Sequence, residues 1–343
     1  MMRKIVTKHL VLMIVLTMML GMISYSSDDE DRTGTSTAPD VEICIVFAPN
    51  ELGDQGYADR VLAGMLLFDQ HLSASDKDRV EFRYIAVNDT DAVKNELRHR
   101  DLHGTSPYTR RAYERRLLVL TDLSLLSYLS ETSLDNTDEV LVMNVADCYF
   151  DHAPKADILG SRFHLLNISA ADAARKLCRC IDHETANTTE QRREIWLLQG
   201  YEDGEVMADS INQVIDEHFG NDISKRIYYK EILGTGNEAF NNAYSMGTAI
   251  RNGSYVVCNW ASLNAALYAN LYIQGTGDAE VFFLDTEIGS SAKYFPTIIR
   301  HYDRALCQWL EHWLNAPVGT MPKKEWHGAW DGYTTDNINI PND

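Results

Sequence analysis

The stretch VEICIVFAPNELGDQGYADRVLAGMLLF, Val41 to Phe68, decides how the rest of the chain is read. Val41, Ile43, Ile45 and Val46 form a short apolar run of largely β-branched residues, the pattern of a strand buried on both faces. The run stops at Pro49-Asn50, and Asn50 to Gly56 is rich in turn formers. Apolar residues then return at Val61, Leu62, Met65, Leu66 and Phe68 with helical spacing. Strand, polar loop and helix thus follow one another directly. In an open α/β sheet, ligands bind at the loops leaving the carboxyl ends of strands. This loop offers Asn50, Glu51, Asp54, Gln55 and Tyr57: carboxylates, amides and one aromatic face.

Working outward, the same unit recurs. Strands are expected at Val80–Val87, Leu117–Leu120, Val140–Val145 and Phe163–Ile168, with helices over Ala92–Arg100 after the first of these and Leu123–Leu129 after the second. The helix Ala170–Ile181 has Ser169 at its N-cap position. A polar break over His183–Arg193 puts the lobe junction near residues 165–190. Beyond it, strands at Glu194–Leu198, Arg226–Ile232, Tyr255–Cys258 and Glu280–Leu284 alternate with helices over Glu205–Phe219, Glu238–Arg251 and a segment reaching Tyr272. A long amphipathic helix is expected over Tyr294–Leu314, with a last strand near Ile338. Strands alternating with helices imply parallel sheets wound by right-handed crossovers. The fold class is therefore α/β: two Rossmann-like lobes whose parallel sheets face each other across a ligand cleft. The lobes are taken as residues 41–167 plus 288–318 and residues 168–287 plus 319–343.

The residues before Val41 read as export machinery. Arg3, Lys4 and Lys8 precede an uncharged apolar run, Leu10–Ile23, too short to span a bilayer and suited to a signal-peptide core. Residues 1–27 are read as the signal and 28–40 as a flexible tether. Taking Arg3, Lys4 and Lys8 from the 31 basic residues leaves 28 against 50 acidic ones, a net charge near −22. Such a surface repels nucleic acid and anionic lipid. The six cysteines show no zinc-ligand spacing, and are read mostly as buried small hydrophobes with one disulfide allowed for. No metal or cofactor is expected.

The expected strand ends gather polar and aromatic groups: Asn50, Asp54, Gln55 and Tyr57, then Asp122, Asp147, Tyr201, Asn259, Trp260, Asp285 and Glu287. Carboxylates take ring hydroxyls in pairs and aromatic rings pack a flat face. The set suits a neutral ligand bearing hydroxyls, although Asp and Asn at strand ends also serve as helix caps. His99-Arg100-Asp101-Leu102 copies a kinase catalytic loop without its partners. Gly234-Thr235-Gly236 imitates a dinucleotide fingerprint, but no acidic residue ends the next strand.

The segment Asn50–Gly64 resembles the first loop of type I periplasmic solute-binding proteins, most of all the basic membrane lipoprotein family of purine-nucleoside receptors. Asp54, Gly56, Tyr57 and Gly64 match that family's pattern, while Ala58 stands at its Asn position. Phe282–Glu287 is similar to its late strand ending in Asp-x-Asp, and the segments Gly234–Ala249, Val256–Tyr268 and Gly328–Ile340 resemble its second lobe and terminal strand. The resemblance implies that Tyr57 stacks on a base, that Asp59 or Gln55 replaces the missing Asn contact, and that Asp285 and Glu287 lie near a ribose. It also implies a monomeric, non-enzymatic binding protein of an ABC importer, in the periplasm or at the cell surface, delivering a nucleoside or sugar to an inner-membrane ABC permease. The export signal resembles a Bacteroidetes lipoprotein signal, but Tyr25 stands where the acylated cysteine would be. Two other classes remain: a glycosidase or nucleosidase on the same fold using Asp54 with Asp285 or Glu287, and a surface or signalling lobe without ligand.

Overall fold

The computed structural model describes residues 40–49, 52–53, 57–86, 89–102, 112–129, 138–143, 160–186, 193–199, 206–219, 226–233, 236–250, 255–260, 280–284, 297–321, 324–326 and 330–333. The described strands form two six-stranded sheets. The first contains β1 (Val41–Val46), β2 (Val80–Ile85), β3 (Arg115–Leu120), β4 (Asp138–Met143), β5 (Phe163–Asn167) and β11 (Lys324–Trp326), ordered β11-β5-β4-β3-β1-β2. The second contains β6 (Arg193–Gln199), β7 (Arg226–Ile232), β8 (Tyr255–Trp260), β9 (Glu280–Leu284), β10 (Thr297–Arg300) and β12 (Trp330–Tyr333), ordered β12-β10-β9-β8-β6-β7. The pairings are parallel except β10 with β12. The helices are α1 (Tyr57–His71), the single turn α2 (Ala74–Lys77), α3 (Thr90–Leu102), α4 (Ala170–Ala186), α5 (Val206–Phe219), α6 (Gly236–Ile250) and α7 (Tyr302–Asn315). A 3₁₀ segment, Leu123–Tyr128, stands where a helix over Leu123–Leu129 is expected. Among the described residues no helix is long and apolar enough to cross a membrane.

The strand read from Val41 is buried along its whole length. Its odd positions, Val41, Ile43 and Ile45, face the core under α1 and α7, together with Leu117, Val119, Leu141 and the side chains Met65, Phe68, Trp309 and Trp313. Its even positions, Cys44 and Val46, face Val93 and Leu97 of α3 and Leu125 and Leu126 of the 3₁₀ segment. The first of these cores continues through Leu166 and Ile168 into Ala173 and Leu177 of α4 and Ile195 and Leu197 of β6.

Two features depart from expectation. The Tyr294–Leu314 helix is divided: Thr297–Arg300 forms β10, His301 breaks the backbone at φ −78°, ψ 66°, and α7 starts at Tyr302. Adjacent Ile298 and Ile299 fit either period, and pairing with β9 and β12 decides for the strand. The strands of the first sheet also begin earlier than their apolar runs. β3 includes Arg115 and Arg116, and β4 includes Asp138 and Glu139, all buried. Buried charges of opposite sign satisfy one another there. Glu42 accepts from Arg116 Nε at 2.8 Å and Arg83 Nη1 at 3.0 Å, and Arg116 Nη1 lies 3.3 Å from Asp138. On the opposite face Arg115 Nε donates to Glu139 at 2.8 Å, and His164 Nε2 lies 3.0 Å from the same carboxylate. Arg115 also donates to the carbonyls of Trp313 and Ala316 at 2.7 and 2.8 Å, closing the C-terminus of α7.

The late segments divide between the sheets more finely than the expected lobe limits at residues 288–318 and 319–343. β10 lies in the second sheet, α7 packs along α1, β11 completes the first sheet and β12 the second. The expected strand near Ile338 and the helix reaching Tyr272 lie outside the described residues. Cys44, Cys178 and Cys307 are buried and unbridged, the role expected for most of the cysteines.

Candidate functional site

Parallel pairing aims the carboxyl ends of β1, β3, β4 and β5 at one rim of the first sheet, and those of β6 to β9 at one rim of the second. At the first rim the strand ends are tied by backbone and hydroxyl groups. Thr121 N–H donates to the Val46 carbonyl at 3.1 Å, and Ala48 N–H donates to Thr121 Oγ1 at 3.2 Å. Tyr57, at the first turn of α1, donates its hydroxyl to the Thr121 carbonyl at 2.6 Å. Its half-buried ring meets Tyr302 edge to face, with centroids 4.7 Å apart. The aromatic position is thus fixed from two sides, and its polar handle is already engaged within the protein.

Tyr302 connects this rim to the places where the chain changes sheet. Among the described strands the chain passes between sheets from β5 to β6, from β10 to β11 and from β11 to β12. Since α4 packs on α5, β9 and β10, the first passage falls at Ile168–Ser169; since α7 packs on α1, the second falls at His301. The fully buried Tyr302 hydroxyl donates to Asn167 Oδ1 at 2.8 Å and accepts from Ile168 N–H at 3.1 Å. One hydroxyl therefore joins the first two passages with both its hydrogen-bonding roles filled. β11 stands beside them, with Trp326 in register with Asn167. At the second passage, burial raises the Asp303 carboxyl, but the hydrogen bond and charge of His301 and backbone N–H groups at the helix start outweigh this and hold it below its ordinary value.

The expected site residues separate into three groups. Tyr57 is at the rim in the position described. Asp122 also stands there, at the end of β3, but its Oδ1 accepts from Ser124 N–H at 2.7 Å and caps the 3₁₀ segment, the capping role weighed for such residues. Asn259 and Trp260 close the carboxyl end of β8, where Trp260 is in register with Gln199. Asn50, Asp54, Gln55, Asp147, Tyr201, Asp285 and Glu287 lie outside the described residues. Asp59, offered with Gln55 as a replacement for a missing amide toward a base, accepts from Gly53 N–H with both oxygens, at 2.9 and 3.1 Å. That contact holds Gly53 at φ +95°, a left-handed conformation that costs glycine nothing. Gly64 has a packing reason: a Cβ there would sit 2.6 Å from the Asp303 carbonyl oxygen. Thr121 is legible as a polar strand end beside Asp122, but Asn167 and Tyr302 are not, because their roles are made by contacts far apart in the chain.

No protein-family model and no curated protein matches the sequence. Solved structures do match in shape. A periplasmic solute-binding protein of an ABC transporter from Actinobacillus succinogenes 130z, with bound D-allose, aligns at a TM-score of 0.60 and 12% identity over 86% of this chain and 97% of that one. A sugar-binding protein of a sugar ABC transporter from Bacillus halodurans gives 0.59 and 12% over 87% and 98%. The periplasmic binding protein of the arabinose ABC transporter from Shewanella sp. ANA-3, bound to L-arabinofuranose, gives 0.58 and 12% over 85% and 91%. The α/β fold, with two sheets parallel but for β12, thus matches the fold of type I periplasmic solute-binding proteins.

Proposed function

We propose that this chain is an exported, monomeric solute-binding protein that takes a small polar ligand, a sugar or a nucleoside, between its two lobes and delivers it to an inner-membrane ABC permease. The observation that carries this is the tie made by Tyr302. It links two chain passages between the sheets to the rim residue Tyr57 through one ring contact and two hydrogen bonds. A few backbone positions at such passages are where hinge closure takes up its dihedral change. Ligand contacts at the rim would then bias the hinge directly, since any displacement of Tyr57 presses on Tyr302.

In this reading the ring of Tyr57 packs a ligand face while its hydroxyl stays on Thr121. Polar recognition falls to the loops carrying Asn50, Asp54, Gln55, Asp147, Tyr201, Asp285 and Glu287, with Asn259 and Trp260 opposite. Asp122 contributes through whatever its cap leaves exposed. Sugars bound by the structural neighbours favour a sugar over a nucleoside. Residues 1–27 direct export, and closure involves no bond chemistry.

The test is thermal unfolding of the purified chain against D-allose, L-arabinose, D-glucose, D-galactose and purine nucleosides. A ligand at a 100-fold excess over Kd stabilises the folded state by about 2.7 kcal/mol and raises Tm accordingly. Tm unchanged by every compound in both classes overturns the proposal.

A further inference from the structure

A cluster of soft and hard donors lies at the opposite end of α1 from the rim. His71, in the last turn of α1, stands about 21 Å along the helix axis from Tyr57 at 1.5 Å per residue. Its Nδ1 is 2.7 Å from Glu311 Oε1 and 3.7 Å from Cys307 Sγ, and Cys307 Sγ is 3.7 Å from the same Glu311 oxygen. Cys307 and Glu311 are one turn apart on α7 and share a face. The two helices are held in this relation by their close approach at Gly64 and Asp303. From that contact the second one advances toward the C-terminus of both helices, so they run parallel and His71 is presented to α7 by a rigid pair.

We propose that His71, Cys307 and Glu311 form a three-ligand site for Zn²⁺ that pins the end of α1 to α7. One nitrogen, one sulfur and one carboxylate oxygen are the donor types of a tetrahedral zinc centre. With bonds of about 2.0–2.3 Å, a tetrahedral centre spaces its ligand atoms about 3.3–3.6 Å apart. The two sulfur separations, 3.7 Å each, lie just above this and have to close slightly, and the 2.7 Å contact between His71 and Glu311 has to open by a modest turn of the glutamate. Cys307 is buried while His71 is exposed and Glu311 half-buried, so the fourth position faces solvent and takes a water. The helix C-terminus of α1 adds negative potential. Thiolate, carboxylate and neutral imidazole together balance a divalent cation.

Without metal, burial and the nearby Glu311 and Asp303 carboxylates push the Cys307 thiol up to about 11. A bound zinc would displace that thiol proton to solvent, and with Nδ1 as its ligand the imidazole would keep its proton on Nε2.

The experiment uses the full chain, stripped of metal by chelation and titrated with Zn²⁺ by calorimetry, with Co²⁺ as a spectroscopic substitute. The expected results are a 1:1 stoichiometry, a rise in Tm, and a thiolate-to-Co²⁺ charge-transfer band. Cys307→Ser abolishes the band, and His71→Ala, at an exposed position that leaves the fold intact, weakens Zn²⁺ binding by at least about tenfold. Absence of stoichiometric binding overturns the site. So does binding that His71→Ala leaves unchanged, which would assign the metal to other histidines.

Discussion

The two ends of the first sheet solve opposite problems. At the amino-terminal ends of β1, β3, β4 and β5 the chain buries Glu42, Arg115, Arg116, Asp138, Glu139 and His164, and pairs them across both faces. Among the described residues of the carboxyl ends, hydroxyls, backbone groups and two tyrosines meeting edge to face make the ties. Buried ion pairs add little net stability, because desolvation offsets attraction. What they supply is register. Glu42 opposes Arg116, and Arg116 opposes Asp138, so a slip by one residue would carry every charge to the wrong face. The amino-terminal end is thus a fixed frame of charges, and the described carboxyl end is held instead by hydrogen bonds between neutral groups distant in sequence.

The largest expected effect breaks the frame. Arg116→Ala leaves Glu42 and Asp138 buried with a lost cation, and should cost about 3–5 kcal/mol in urea unfolding. A loss below about 1 kcal/mol would mean that water reaches this end and the two ends are alike. Next comes the tie between passages. Tyr302→Phe removes the donor to Asn167 and the acceptor for Ile168 N–H, costing about 1–3 kcal/mol. Hydrogen exchange should quicken at Ile168 specifically; uniform quickening would show that Tyr302 only fills space.

A pH titration sharpens the comparison. Burial raises the Glu139 carboxyl, but the hydrogen bonds and charges of His164 and Arg115 outweigh this and hold it below its ordinary value of 4.5. A carboxyl depressed in the folded state contributes stability above its unfolded value and loses it as pH falls through the folded one. Stability should therefore fall as pH drops below about 4.5, and Glu139→Gln should flatten that limb of the curve while lowering stability at neutral pH. An unchanged acid limb would remove Glu139 from the frame. The smallest effect is at the rim. Tyr57→Phe loses one hydrogen bond to a backbone carbonyl, about 0.5–1.5 kcal/mol. Its ring stays, so ligand affinity should change less than in Tyr57→Ala; equal losses would place the hydroxyl, not the ring, against the ligand.

Most of the layout was legible because apolar periodicity follows directly from which face of each element is buried. β7 and β9 match their expected limits of Arg226–Ile232 and Glu280–Leu284, and β1 starts at Val41. The strands with charged beginnings were read short, since Arg115-Arg116 and Asp138-Glu139 resemble solvated flanks until their cross-strand partners are known. β10 was absorbed into the following helix because four residues are too few to display a period of two.

The sequence by itself determined the alternation of strand and helix, the parallel sheets that alternation requires, and the polar loops at the strand ends. These are local consequences of side-chain spacing. Tertiary structure alone decided which buried charges pair, that Tyr302 joins two sheet passages to Tyr57, and that His71 meets Cys307 and Glu311. Each of these depends on residues brought together from distant parts of the chain, and spacing along a sequence carries no record of which distant groups will share one low-dielectric interior.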